Sequence, residues 1–151
     1  GAAMTITIPD DLVPWPDAEQ IIVAALDQVA QQMTPQPWVG TWIPDDYETQ
    51  IQQAPLIVVQ RTTGAADINN QVDVPLVEIG VLAETRADAQ KINSYLRAWM
   101  LDVFPTHPQV PVRIVSITER VGSVMPPWIN PDHRYVNALY EITIRRPRSH
   151  K

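Results

Sequence analysis

The chain has 151 residues, the size of one ordinary domain, and its 45% apolar and 19% charged composition is typical of a folded globular protein. Seventeen acidic residues against eleven basic ones give a net charge of −6, which argues against sequence-independent binding to nucleic acid as the main activity. The absence of cysteine excludes disulfides, thiolate zinc sites and cysteine nucleophiles, and it suits a chain made in a reducing cytoplasm.

The sequence shows no targeting or membrane-spanning pattern. No apolar run approaches the roughly 18 residues of a membrane helix, and no charged-then-apolar leader opens the chain. We therefore expect a soluble protein without an export signal. Gly1-Ala2-Ala3 ahead of Met4 is typical of residues left by cloning, so we expect the fold to lie within residues 4–151.

The first part of the chain predicts one helix and two strands. Residues 17–33 carry Ile22, Leu26 and Val29 on one face of an amphipathic helix that Pro35 ends. Residues 38–43 and 56–60 are short and apolar with aromatic or β-branched side chains, which is typical of strands, and the second of them can continue to Thr62.

Two polar segments in this part predict loops. Residues 45–48 carry three carboxylates and form either an acidic loop or a short helical turn. Residues 61–71, R-T-T-G-A-A-D-I-N-N-Q, contain one large apolar residue and many turn formers, so they predict a long exposed loop between two strands. Loops of this length in a compact domain are usually functional or disordered.

Residues 72–104 form the unit around which the rest of the chain is organised. Apolar residues alternate with others around residues 77–81 and then recur with a helical period after Thr85, so a strand runs directly into an amphipathic helix. Thr85 can cap this helix, and the charge of Asp88 favours its first turn. Pro105 is expected to end it.

The last third predicts two more strands. Residues 112–121 and 135–145 alternate, and a proline-rich loop with Trp128 separates them. Residues 145–151, R-R-P-R-S-H-K, form a basic tail that is either a frayed solubilising end or a patch for a negatively charged partner. The one-sided pattern of the last strand indicates a sheet covered on a single face. We therefore predict one α+β domain in two layers, with a mostly antiparallel sheet of four to five strands covered by two main helices.

Signals for catalysis or metal binding are weak. The phosphate-loop, dinucleotide-binding, serine-hydrolase, HExxH and EF-hand motifs are all absent. Asp132 and His133 could hold a metal with one further ligand, but a solvated turn is the simpler interpretation. The carboxylates of residues 45–48 lack the apolar surroundings that acid–base catalysis would need, so a solvated acidic loop is the simpler interpretation. We expect no catalytic residue, no cofactor and no metal.

Five tryptophans against one phenylalanine is an unusual ratio. Trp99 falls on the buried face of the predicted helix. Trp15, Trp38 and Trp128 lie next to prolines, where an aromatic ring either fills the local core or anchors a partner.

The order of these segments resembles the tail terminator proteins, also called tail completion or minor tail proteins, of long non-contractile-tailed bacteriophages. The resemblance is carried by the strand that runs into V-L-A-E-T-R-A-D-A-Q-K-I, by V-R-I-V-S-I-T-E-R, by the loop P-P-W-I-N-P-D-H-R-Y and by Y-V-N-A-L-Y-E-I-T-I-R-R-P. It covers most of residues 17–147.

The resemblance implies a small structural subunit of the virion tail, assembled in the host cytoplasm. Such proteins form a hexameric ring on the head-proximal end of the tail tube, end its polymerisation and offer a surface to the head connector or stopper protein. The expected partners are further copies of the chain, the tail tube protein and the head connector, with DNA only as passing cargo and no membrane. A monomer in dilute solution is compatible with this, because the tube can serve as the template for the ring.

Ten residues are candidates for partner or subunit contacts. The 61–71 loop is expected to be mobile in the free subunit and ordered on docking. The arginines expected at subunit contacts or along a DNA channel are Arg120, Arg134, Arg145 and Arg146. The candidates are Arg61, Thr62, Asp67, Asn69, Trp38, Trp128, Arg120, Arg134, Arg145 and Arg146.

Three other interpretations stay open. The nearest is a head-side neck protein, such as a head completion or stopper protein. An enzyme is the second, and a deep pocket lined by Asp132, His133 and Glu141 would favour it. A small-ligand binding domain is the third.

Overall fold

The computed structural model describes residues 5–120 and 134–147, without the side chain of Arg134. The elements are, in chain order, α1 (Ala18–Ala30), β1 (Trp38–Gly40), α2 (Tyr47–Gln50), β2 (Leu56–Thr63), β3 (Val72–Asp73), β4 (Leu76–Ala83), α3 (Arg86–Asp102), a 3-10 turn (Phe104–Thr106), β5 (Ile114–Arg120) and β6 (Arg134–Arg145).

The two main helices begin where capping residues satisfy their free N–H groups. The Asp17 side chain accepts a hydrogen bond from the Gln20 backbone N–H (3.2 Å), and Thr85 accepts one from the Asp88 backbone N–H (3.1 Å), which confirms the predicted cap of α3. Both helices end slightly earlier than expected. α1 ends at Ala30, and α3 ends at Asp102, shortly before the 3-10 turn of Phe104–Thr106 that includes Pro105.

The sheet is mostly antiparallel, with its strands in the order β1-β2-β4-β6 and with β5 on the outer side of β6. Only the β1–β2 pair of the described strands is parallel. β3 and β4 keep one register against β6, with Asp73 opposite Ile144 and Leu76 opposite Glu141. They are therefore one strand interrupted at Pro75, whose nitrogen has no hydrogen to donate. The six described strands thus occupy five positions, as predicted.

Both main helices pack on the same face of the sheet. Their apolar residues, such as Leu26 on α1 and Leu96 on α3, are buried against the alternating residues of the strands, such as Ile79 and Tyr140. The predicted two-layer α+β arrangement is confirmed. Among the described residues, no helix has the length and apolar character that crossing a membrane requires.

The acidic segment and the first strand differ in detail from the prediction. Residues 45–48 lead into α2, and Tyr47 and Ile51 pack on one end of the opposite sheet face, against Leu56. β1 ends at Gly40 instead of residue 43. The Trp38 ring lies over Gly40, and the carbonyl of the next residue, Thr41, accepts a hydrogen bond from the Gln60 side chain (3.3 Å) instead of from a strand backbone.

Candidate interaction surfaces

The predicted 61–71 loop is shorter than expected, because its first three residues belong to β2. Arg61 pairs with Val77 and Thr63 with Leu76, with a register shift between them, and the Thr62 hydroxyl donates to the Leu76 carbonyl (3.2 Å). The loop proper covers residues 64–71. We call the end of the molecule formed by this loop, β3 and the end of β6 the loop end.

An ion pair holds the base of the loop. The Arg61 guanidinium donates to both carboxylate oxygens of Asp73 (2.8 and 2.9 Å) and to the Gly64 carbonyl (2.8 Å). Asp73 is only 5% exposed, so its charge is compensated almost entirely by this bidentate ion pair with Arg61. The Arg61 backbone N–H donates to the Glu19 carboxylate (2.8 Å), which ties the same residue to α1.

The tip of the loop is a hydrogen-bonded turn built on Asp67. Its carboxylate accepts from the backbone N–H groups of Gln71 (2.7 Å) and Val72 (3.1 Å). Hydrogen bonds from Val72 and then Gln71 hold the pKa of Asp67 below its ordinary value. Asn70 takes a positive φ of 55°, a conformation that asparagine tolerates. The turn leaves the Ile68 side chain 96% exposed.

Arg146 connects this tip to the rest of the loop end. Its backbone N–H donates to the Gln71 carbonyl (2.9 Å), and its guanidinium donates to the Asn70 carbonyl (3.2 Å). The guanidinium carbon also lies 4.4 Å from the centre of the Trp15 ring, within the range of a cation–π contact. Whether the loop gains order on docking stays a prediction, but its tip is fixed at several points in the free chain.

The structure brings six of the ten candidate residues together at the loop end. These are Arg61, Thr62, Asp67, Asn69, Arg145 and Arg146.

The other four candidates lie elsewhere. Trp38 is half-buried on β1, where its ring meets the edge of Trp42 at 5.5 Å. Arg120 pairs with Glu141 (3.0 Å) across β5 and β6 on the sheet face away from the main helices. The backbone of Arg134 begins β6 opposite Ala83. The side chain of Arg134 and the whole of Trp128 lie outside the described residues.

A buried tyrosine on that same sheet face was not predicted. The Tyr135 ring crosses Gly80 on β4, and its hydroxyl donates to the Glu78 carboxylate. Burial, followed by the charge and hydrogen bond of Glu78, raises the pKa of Tyr135. The signal in the sequence was Gly80 itself, because a glycine inside a strand often marks a close approach by another group.

A groove of about 650 Å³ lies between the end of α1, the start of α3 and the segment before β2. Apolar side chains such as Met33, Ile51 and Ile92 line it, together with the charged residues Lys91 and Asp88. No sequence pattern indicated this groove. It does not include Glu141, and Asp132 and His133 lie outside the described residues. Within the described ranges, no three of the histidine, aspartate and glutamate side chains are grouped as a metal site would require.

The described residues form a two-layer α+β domain, and the tip of its loop end exposes the apolar side chain of Ile68. The chain belongs to the phage tail termination protein family, whose model matches residues 14–151. This match confirms the resemblance drawn from the segment order, and the family is a structural one of the virion tail. No curated protein matches the chain.

Proposed function

We propose that the protein forms a hexameric ring on the head-proximal end of the completed tail tube. The ring stops the addition of tube subunits and then offers its other surface to the head connector or stopper protein. In this proposal the protein has no catalytic role, it assembles in the host cytoplasm, and DNA only passes through the ring. Membership of the tail termination family supports the tube as the partner.

The observation that carries the proposal is the exposed Ile68 side chain at the tip of the loop end. A large apolar side chain with 96% exposure gains most of its hydrophobic stabilisation only when a partner covers it. The Asp67 hydrogen bonds and the Arg146 contacts hold the tip in place, which lowers the entropy cost of docking. We propose that this tip docks on the tail tube protein.

The test is the ability of the protein to stop tube growth. Purified tube protein is polymerised with increasing amounts of wild-type protein, Ile68→Asp or Ile68→Leu, and tube length is measured by electron microscopy. We expect that at least about tenfold more Ile68→Asp than wild-type protein is needed to stop tube growth, because docking would bury an unpaired charge. Ile68→Leu keeps an apolar side chain and should act like wild type.

Two results would contradict this proposal. Equal potency of Ile68→Asp and wild type, with both variants folded, would show that the tip does not dock on the tube. Binding of the wild-type protein to DNA-filled heads but not to tubes would favour a head-side neck protein instead.

A further inference from the structure

Charge is unevenly distributed along the sequence and across the sheet. No lysine or arginine precedes Arg61, so all eleven basic residues lie in the later part of the sequence. The earlier part supplies α1, β1 and α2, at one side of the sheet, whereas β5 and β6 lie at the other side. The first side therefore receives negatively charged side chains from these three elements and no positively charged ones.

A tryptophan and two carboxylates are exposed beside β1. Trp42 follows the end of β1 by two residues, and its side chain is 60% exposed. Asp45 and Asp46 follow in the same segment, are also exposed, and form no ion pair among the described residues. The hydrogen bond from the Gln60 side chain to the Thr41 carbonyl holds this segment against β2. We call Trp42, Asp45 and Asp46 the β1 surface.

The opposite edge of the sheet carries exposed apolar and basic side chains. β5 is the outer strand there, and the end of α3 and the 3-10 turn pack beside it. The exposed apolar residues of these segments include Leu101, Val103 and Val115. Arg113, just before β5, and Arg145, at the end of β6, are exposed as well. We call these five residues the β5 surface.

The two arginines of the β5 surface repel each other in the free chain. The Arg145 backbone N–H donates to the Arg113 carbonyl (2.9 Å), so the two residues are neighbours across the end of β6 and the start of β5. Neither forms an ion pair within the described part of the chain. Like charges on neighbouring strands are destabilising, and carboxylates placed against them remove the repulsion. The β5 surface therefore suits a partner that is both acidic and apolar.

We propose that the β1 surface of one copy docks on the β5 surface of a neighbouring copy. This inference rests on the self-association in the proposed function. In this contact, Trp42 packs on the apolar residues of the β5 surface, and the two carboxylates of the β1 surface face the two arginines. Tryptophan is among the residues that most often dominate the energy of protein–protein contacts.

The contact joins different copies, because the two surfaces lie at opposite edges of one sheet. β2, β4 and β6 separate β1 from β5, which places the two edges about 19 Å apart. These strands are hydrogen-bonded to one another, so the surfaces cannot meet within one chain. Two β1 surfaces cannot pair either, because their carboxylates repel. Copies therefore join head to tail, the kind of contact that repeats around a closed ring.

Charge reversal on each surface tests the contact. The first variant carries Arg113→Asp with Arg145→Asp, and the second carries Asp45→Arg with Asp46→Arg. Each variant alone has like charges on its two surfaces, so we expect association at least about tenfold weaker than that of wild type. An equal mixture of the two variants has opposite charges at every contact between unlike copies and should restore the wild-type mass. Light scattering after size exclusion, with tube protein added, measures this mass.

The control variant carries Arg86→Asp with Lys91→Asp, the same change in net charge at the exposed start of α3 and outside both surfaces. It should associate like wild type. Circular dichroism checks that every variant is folded. Wild-type association of either charge-reversed variant would overturn the proposal. Weak association that the mixture does not restore would also overturn it, and is the result expected if the two surfaces bind tube protein or DNA instead of each other.

Trp42 tests the apolar part of the contact. Trp42→Ala should weaken association about tenfold or more, whereas Trp42→Phe keeps an aromatic ring and should lose much less. Equal association of Trp42→Ala and wild type would overturn the contact as placed here.

The tube-growth assay separates this contact from the proposed function. Normal rings in the charge-reversed variants that also stop tube growth would overturn the contact and leave the proposed function intact. Association that the mixture restores, in a protein whose wild type does not stop tube growth, would support the contact and contradict the proposed function.

Discussion

At the scale of single residues, the ion pairs differ widely in what they contribute. Asp73 is buried and Arg61 is its charge partner, whereas Arg120 and Glu141 are both well exposed. Removing one member of a buried pair leaves an uncompensated charge in a poorly solvated place, whereas water replaces an exposed partner easily. The buried pair therefore fixes the base of the loop, and the exposed pair adds little to stability.

We expect Arg61→Ala to lower the free energy of unfolding by about 2 kcal/mol, a value reduced from fully buried pairs because Arg61 is partly solvated. Arg120→Ala is the matched control and should cost about 0.5 kcal/mol or less. Urea unfolding of the two variants and wild type measures both changes. Equal losses would show that the Arg61–Asp73 contact does not hold the loop base.

The low pKa of Asp67 predicts how the tip responds to acid. A carboxylate whose pKa is depressed by folding contributes stability above its ordinary pKa, and this contribution is lost as pH falls through the lower folded value. Protection of the Gln71 and Val72 amides from hydrogen exchange should therefore persist below pH 3.8 and then decline. Asp67→Ala should lack this protection at every pH, whereas Asp45→Ala should keep it. Full protection in Asp67→Ala would contradict the turn.

At the scale of elements, β6 carries two buried tyrosines whose hydroxyl groups differ in hydrogen bonding. Tyr135 points away from the main helices and donates to Glu78. Tyr140 points into the core beside α3, and its hydroxyl has no hydrogen-bond partner among the described residues. Burial, followed by the Glu119 charge, raises the pKa of Tyr140. The Tyr135 hydroxyl stabilises the strand, whereas the Tyr140 hydroxyl is a buried polar group that no described residue compensates.

We expect Tyr135→Phe to lower the free energy of unfolding by about 2 kcal/mol, because it removes a hydrogen bond to a charged acceptor. Tyr140→Phe should leave stability unchanged or raise it by about 1 kcal/mol, because it removes a buried hydroxyl to which no described residue is hydrogen-bonded. Thermal and urea unfolding of the two variants compare the effects directly. A larger loss for Tyr140→Phe would reveal a partner for that hydroxyl.

At the scale of the whole molecule, the fold could be predicted from local sequence patterns. The side-chain contacts and the groove at the surface could not. The change of period at Thr85 and the alternation in β6 were sufficient for the two-layer arrangement, because both depend on neighbours in sequence. The Arg61–Asp73 pair, the Arg146–Trp15 contact and the groove beside α1 join residues far apart in the chain. No local pattern encodes them. The loop residues Arg61 and Asp67 were found because polarity and turn formers marked the segment.

We propose that this tail termination protein acts as a ring on the tail tube. Light scattering after size exclusion, over a wide protein concentration range and with tube protein added, measures whether such a ring forms. We predict a species of about six subunits, or a complex with the tube that contains such a ring. A monomer at every concentration that does not bind tube protein would contradict the claim.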